Sequence, residues 1–290
     1  MPIAYYDGQF VDSSTLKIGV TDYGFSRGMT LFEMTRVYGG KPFKLDAHIQ
    51  RFMAGATELG ITIPLDTAAL DAATRHIIAQ NKFAHSTVRY YLTFGECGHV
   101  GGYGFKNDKD FKPHLIILEG EASPKQTETP YGHDIYAKGS GVKTVPFARH
   151  LPTVKSTNYV SGVVAARALD GTDFDEVLYV HPDGYVTETT ISNFFCVIDG
   201  VLCTPRRGML YGVTRATLID LARGLDIKVE ERDIATTELT RATEAFTSST
   251  YIEMMPIRRI DDTHYAQTLA APVFARLRTA YTAHVQGCCA

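Results

Sequence analysis

The sequence predicts an α+β protein of two domains, a small N-terminal α/β domain and a larger C-terminal domain of mixed strands with helices. Three observations lead there. A chain of 290 residues is long for one domain, so two is the better prior. A hydrophobic content of 44% supplies apolar surface for a large core. Strand-like and helix-like segments mix on both sides of one polar stretch, 121–130 (EASPKQTETP), which has two prolines, lacks periodicity and reads as a linker. The expected division is 1–120, a linker at 121–131, and 132–290.

The elements follow in order. Ile3-Ala4-Tyr5-Tyr6, a turn at Asp7-Gly8 and Gln9-Phe10-Val11 read as a hairpin. Residues 30–38 (TLFEMTRVY) have strand character and stop at Gly39-Gly40, before a second hairpin signal at 41–44. Asp46 reads as the N-cap of a helix over 47–59, whose apolar Ile49, Phe52, Met53, Ala56 and Leu59 recur at helical spacing and which Gly60 stops. A second helix is expected over 67–81, with strands at 88–94 and 114–118. Past the linker the pattern predicts strands at 142–146, 176–180, 185–187, 193–198, 229–233 and 244–248. Helices are expected at 159–169, 214–225 and 268–284. The glycine-rich run 98–111 reads as a mobile loop near a pocket entrance.

Composition narrows the function classes. A net charge of −3 gives no reason to expect nucleic acid or a membrane surface as partner. No apolar run approaches the ~20 residues that span a bilayer, and the first residues lack the pattern of a signal peptide. The five cysteines, Cys97, Cys196, Cys203, Cys288 and Cys289, are odd in number and lack metal-ligand spacing, which fits reduced thiols in a cytoplasmic protein without a metal site. The last two fall where a chain end is expected to be disordered.

Two residues carry the chemistry. Lys155 stands in Leu151-Pro152-Thr153-Val154-Lys155-Ser156-Thr157-Asn158-Tyr159, with no carboxylate after it until Asp170. Glu188 stands in Tyr185-Val186-Thr187-Glu188-Thr189-Thr190-Ile191-Ser192-Asn193. A lysine that condenses with a carbonyl and an acid that keeps a pyridine nitrogen protonated are the groups a pyridoxal 5'-phosphate enzyme needs most. Read alone, each is an ordinary surface residue. Anion-binding candidates accompany them. Tyr211-Gly212-Val213-Thr214-Arg215 precedes a helix, where backbone N–H groups and a threonine hydroxyl can hold a phosphate or simply cap the helix. Thr247-Ser248-Ser249-Thr250-Tyr251 is a hydroxyl-rich turn or a solvated loop, and Arg51 is a bidentate donor or a surface arginine.

Together these segments resemble the class IV aminotransferases, the fold-type IV pyridoxal-phosphate enzymes, a family that includes branched-chain aminotransferases, D-amino acid transaminases, R-selective amine transaminases and aminodeoxychorismate lyase. Six motifs occur in order from Asp22 to about Ile260: Asp22-Tyr23-Gly24-Phe25 with Phe32-Glu33; His48-x-x-Arg51; Lys155-x-x-Asn158; Glu188-x-x-x-Ser192-Asn193; Gly212-Val213-Thr214-Arg215; and Thr247-Ser248-Ser249-Thr250 with Glu253 and Pro256. The resemblance implies that Lys155 carries the cofactor and shuttles a proton, that Glu188 pairs with the ring nitrogen, that Arg51, Val213, Thr214 and Thr250 hold the phosphate, and that Gly212 and Ser249 also bind the cofactor. It places Tyr159 at the ring oxygen and counts Ser192 and Asn193 among the cofactor-binding residues. It implies a homodimer with active sites at the subunit interface, and the cofactor enclosed by a small and a large domain.

Substrate choice rests on Arg27, Phe32, Arg89 and Tyr251. Arg27 falls where branched-chain enzymes usually carry a tyrosine, whereas Arg89 matches an arginine found in them. An arginine pair suits a carboxylate or dicarboxylate such as 2-oxoglutarate. The alternatives are a salt bridge at the dimer contact for Arg27 and a solvent-facing position for Arg89. The short Lys-Ser-x-Asn spacing resembles the D-amino acid enzymes, although Glu96-Cys97-Gly98-His99-Val100 lacks the Arg-x-His of their better-known members. The expectation is transfer of an amino group between a D-amino acid, such as D-alanine or D-glutamate, and a 2-oxo acid. The alternatives are an L-branched-chain aminotransferase and a lyase of the aminodeoxychorismate type.

Overall fold

The computed structural model describes residues 1–97, 111–122, 137–265 and 270–289. The loop expected at 98–111, but for Phe111, and most of the linker at 121–131 lie outside the described residues. The chain divides into two compact units. The first comprises Met1–Ala122 with Val154–Tyr159 and Cys289; the second takes Ser123–Thr153, Val160–Cys288 and Ala290.

In the first unit the described strands and α-helices are β1 (Ile3–Tyr6), β2 (Gln9–Asp12), α1 (Tyr23–Arg27), β3 (Thr30–Tyr38), β4 (Lys41–Pro42), α2 (Leu45–Glu58), α3 (Thr67–Asn81), β5 (His85–Thr93), β6 (Glu96–Cys97), β7 (Phe111–Lys112) and β8 (Leu115–Glu121). The strands form an antiparallel sheet in the order β2-β1-β8-β5-β3-β4, with β6 and β7 paired separately. Alternation sends Leu31, Val37, Val88, Tyr90, Leu92 and Ile117 to one face. There they pack with Ile49 and Phe52 of α2 and Leu70 and Ile77 of α3. The helix expected at 47–59 begins two residues earlier. Its N-cap is Lys44 in the left-handed region (φ 52°), with no side-chain cap bond. Asp46 is therefore inside the first turn, where its charge still favours the helix dipole. α3 matches its expected range and is capped by Asp66, which accepts from Ala69 N at 2.8 Å.

The second unit contains β9 (Ser140–Pro146), α4 (Val160–Ala166), β10 (Glu176–Val180), β11 (Tyr185–Thr189), β12 (Asn193–Ile198), β13 (Val201–Thr204), α5 (Val213–Gly224), β14 (Val229–Glu231), β15 (Ile234–Ala235), β16 (Ala242–Ser249), β17 (Glu253–Ile260), β18 (Thr263–His264) and α6 (Pro272–Cys289). β13, β17 and the short β15 and β18 have no counterpart in the sequence reading. The order runs β14-β13-β12-β16-β17-β9-β10-β11-β15, and β11 also pairs with β12 at Glu188↔Asn193. Six strands, β12-β16-β17-β9-β10-β11, therefore close on themselves. Val142, Leu178, Val186, Phe194, Ala245 and Ile257, one from each, belong to a single core cluster. The final helix reaches Cys289, which is buried, so the cysteine pair expected in a disordered end is helical.

Candidate active site

In the first unit, residues 154–159 return to β3. Phe32 N donates to Lys155 O at 2.8 Å and Thr157 N to Thr30 O at 3.0 Å, and Val154 is buried in that unit's core. These contacts fix the backbone on both sides of the lysine. Lys155 Nζ lies 4.3 Å from the centroid of the Phe32 ring, within cation–π range. The Phe32 ring stacks on Tyr91 at 6.3 Å and lies 6.0 Å from Tyr159. Phe32 pairs with Tyr91 and Met34 with Arg89 across β3 and β5. Alternation thus puts Arg89 on the Phe32 face, away from the core, and it is exposed. Arg27 is exposed at the last turn of α1. That short helix is anchored by Asp22, which accepts from Gly24 N and from Thr93 Oγ1 at 2.7 Å. Neither Arg27 nor Arg89 makes an ion pair among the described residues.

On β3 and α2, Glu33 is buried and engages both His48 and Arg51. Arg51 Nε donates to Oε2 at 2.8 Å and Nη2 to Oε1 at 2.6 Å. His48 Nδ1 lies 3.1 Å from Oε1. Burial pushes the Glu33 carboxyl up, but the Arg51 guanidinium and the hydrogen bonds from His48 and Arg51 outweigh it and hold the group far below the usual carboxylate range. For His48, burial is the largest effect and lowers its pKa against the pull of Glu33; the charges of Arg51 and Lys155 lower it further. A neutral imidazole beside a carboxylate carries its proton on Nδ1 and donates it to Glu33. Arg51, expected at the phosphate, is thus oriented by Glu33.

In the second unit, Glu188 stands at the pairing that closes the six strands. Its side chain is 6% exposed. Oε1 accepts from Arg149 Nη1 at 2.7 Å and from Leu210 N at 3.2 Å, while Oε2 accepts from Asn193 Nδ2 at 3.3 Å. Asn193 Nδ2 also donates to Leu210 O at 2.7 Å. Ser192 shapes the turn leading into β12: its N–H donates to Thr189 Oγ1 at 3.1 Å and its carbonyl accepts from Thr189 N at 2.9 Å.

The motif at 212–215 opens α5. The helix begins at Val213, one residue before its expected start. Its N-cap is Gly212, with extended backbone and no side-chain cap. The first-turn N–H groups have no intrahelical acceptor, so the helix start presents donors to an anion. A Cβ on Gly212 would come 2.0 Å from Asn193 Oδ1, which places this helix start against the residue that contacts Glu188. Thr214 is buried. Arg215 anchors the turn, donating to Thr204 Oγ1 at 3.1 Å and to Pro205 O at 2.8 Å and pairing with Glu231.

The hydroxyl-rich turn ends β16. Ser248 pairs with Asn193 across β12 and β16, so both project to one face. Ser248 is 1% exposed and its Oγ has no hydrogen-bond partner among the described residues. Ser249 Oγ accepts from Ile252 N at 3.3 Å. Thr250 and Tyr251, half-buried, form the turn into β17. The second unit thus gathers Glu188, Asn193, Gly212 and Ser248. Sequence reasoning missed Arg149: it lies in an aperiodic loop, and its partner is 39 positions away.

The family model for amino-transferase class IV matches residues 30–260. Among curated proteins, the branched-chain-amino-acid aminotransferase of Pseudomonas aeruginosa is 28% identical over 98% of this chain and 93% of its own length. The D-alanine aminotransferase of Listeria innocua is 29% identical over 97% and 95%. Among solved structures, the T.th. branched-chain amino acid aminotransferase with pyridoxamine 5'-phosphate superposes with a TM-score of 0.88 at 26% identity, covering 99% of this chain and 95% of that one. Motif order, fold and family match agree: this chain belongs to the class IV aminotransferases.

Proposed function

We propose that the chain is a pyridoxal-phosphate-dependent transaminase that moves an amino group between a D-amino acid, such as D-alanine or D-glutamate, and a 2-oxo acid such as 2-oxoglutarate. The orphaned, buried Ser248 hydroxyl is the observation that carries the cofactor assignment. An unpaired buried hydroxyl costs stability unless a ligand completes it. It belongs to the residue set that joins a carboxylate, for a ring nitrogen, to an uncapped helix start and hydroxyls, for a phosphate. That donor set fits pyridoxal phosphate.

Bound pyridoxal phosphate supplies an electron sink for the charge left when the substrate Cα loses its proton. Lys155 binds the cofactor, and its Nζ takes and returns the proton at Cα. Glu188 holds the proton on the ring nitrogen. Val213 N–H, Thr214, Ser249 and Thr250 would hold the phosphate, and the family resemblance adds Arg51, in the orientation set by Glu33, and Tyr159 as cofactor-binding residues. Arg27 and Arg89, exposed and without ion pairs among the described residues, take substrate carboxylates, with Phe32 and Tyr251 lining the side-chain pocket. The assembly is a homodimer, consistent with the exposed Val160, Val163 and Val164 along α4.

Apo protein mixed with pyridoxal phosphate should gain a visible absorption band that Lys155→Ala abolishes. D-alanine, L-leucine and a chiral amine, each offered with 2-oxoglutarate, then read the substrate. Turnover with L-leucine alone would replace the D-amino acid reading with the branched-chain one that the Pseudomonas relative's name supports.

A further inference from the structure

We infer that Arg149 is a positioning residue: it fixes the Glu188 carboxylate in the orientation that meets the cofactor's ring nitrogen. The inference rests on the reading of Glu188 above and adds a residue to it.

Arg149 Nη1 donates to Glu188 Oε1 at 2.7 Å, the shortest of the contacts described for that carboxylate, and the same nitrogen lies 3.3 Å from Pro152 O. One donor thus ties the acid on β11 to the loop after β9. A carboxylate only 6% exposed is held by its charged partner at close range, and breaking so buried a pair by removing one side is strongly unfavourable. Two further described contacts, Leu210 N at 3.2 Å and Asn193 Nδ2 at 3.3 Å, are longer and come from uncharged groups. Charge-assisted hydrogen bonds are roughly twice as strong as neutral ones, so Arg149 outweighs either neutral donor in setting the Glu188 side-chain conformation. Arg149 itself is 23% exposed and can be replaced without opening a large internal cavity.

The experiment compares wild type, Arg149→Met, Arg149→Lys, Glu188→Gln and the Arg149→Met/Glu188→Gln double variant. For each, the apo protein is titrated with pyridoxal phosphate by absorbance, the pH midpoint of the resulting band is recorded, and the apo thermal midpoint is measured. Arg149→Met should weaken cofactor binding by about 10-fold or more, the worth of one hydrogen bond to a charged group, and shift the pH midpoint of the band. Arg149→Lys should recover most of both. In the Glu188→Gln background, Arg149→Met should change binding by less than about 2-fold, because a residue acting through Glu188 has nothing left to act on. Equal effects of Arg149→Met in both backgrounds, or a lower apo thermal midpoint with unchanged binding and band, overturn the inference and leave the cofactor reading intact. No visible band in wild type overturns both.

Discussion

Gly212→Ala tests whether the start of α5 is fitted to the Glu188 cluster. Gly212 has φ −68°, a backbone conformation any residue adopts, so the substitution probes space rather than strain. The new Cβ would stand 2.0 Å from Asn193 Oδ1, where ordinary contact begins at 3.4 Å. The amide would have to retreat by about 1.4 Å. Its Nδ2 is held at 2.7 Å by Leu210 O and at 3.3 Å by Glu188 Oε2, and the longer of these, to Glu188, does not survive such a displacement. A lost hydrogen bond of about 1 kcal/mol and an overpacking cost of about 1–3 kcal/mol give a destabilisation of about 2–4 kcal/mol. For a chain of this size that is a fall in thermal midpoint on the order of 5–15 °C, with weaker pyridoxal phosphate binding in an absorbance titration. If Asn193 is the obstacle, Gly212→Ala should cost little further in an Asn193→Ala background. A Gly212→Ala protein that melts within about 1 °C of wild type, or an equal loss in both backgrounds, refutes the reasoning.

The buried Glu33–His48–Arg51 group predicts acid sensitivity in two stages. His48 has a folded pKa below its ordinary 6.5, so its contribution is present above pH 6.5 and fades as pH falls below it. Glu33, lowered from 4.5, adds a second loss beginning as pH falls through 4.5. Unfolding across pH 3–8 should show both, and His48→Gln should remove the first stage alone; an unchanged pH profile would count against it. Arg27→Ala and Arg89→Ala should each raise KM for 2-oxoglutarate by about 10-fold or more, the worth of a charge-assisted bond, and unchanged steady-state kinetics in both removes their carboxylate role. Ser248→Ala should raise apo stability by about 1 kcal/mol or more, since it removes a buried hydroxyl that has no partner among the described residues, yet weaken pyridoxal phosphate binding several-fold. A large drop in the apo thermal midpoint, or unchanged affinity, contradicts that.

How far the sequence speaks depends on whether an element is specified locally. β3 and α3 were legible to the residue because TLFEMTRVY is a dense β-forming run ended by two glycines, and because Asp66 caps a periodic segment. β17 was not. Its Met254-Met255-Pro256 text argues against a strand, and partners on both sides, β16 and β9, override that preference. The start of α2 moved because Lys44 takes the left-handed conformation at the N-cap, for which a lysine gives no signal. Lys155 and Glu188 could be read because each lies in a dense local motif. Arg149 joins Glu188 from another segment, and only folding reveals that the Ser248 hydroxyl lacks a partner.

The pairing of β11 with β12 is a single register pair, Glu188↔Asn193, flanked by the turn that Thr189 and Ser192 hold together. A ring of strands fastened at one rung opens most easily at that rung. Whatever grips Glu188 also grips the fastening, so ligand occupancy and ring opening are linked by mass action. The amide of Thr189 should then serve as a gauge. Its hydrogen exchange reports local opening of the ring, and it should slow on loading with pyridoxal phosphate far more than amides in the middle of β16.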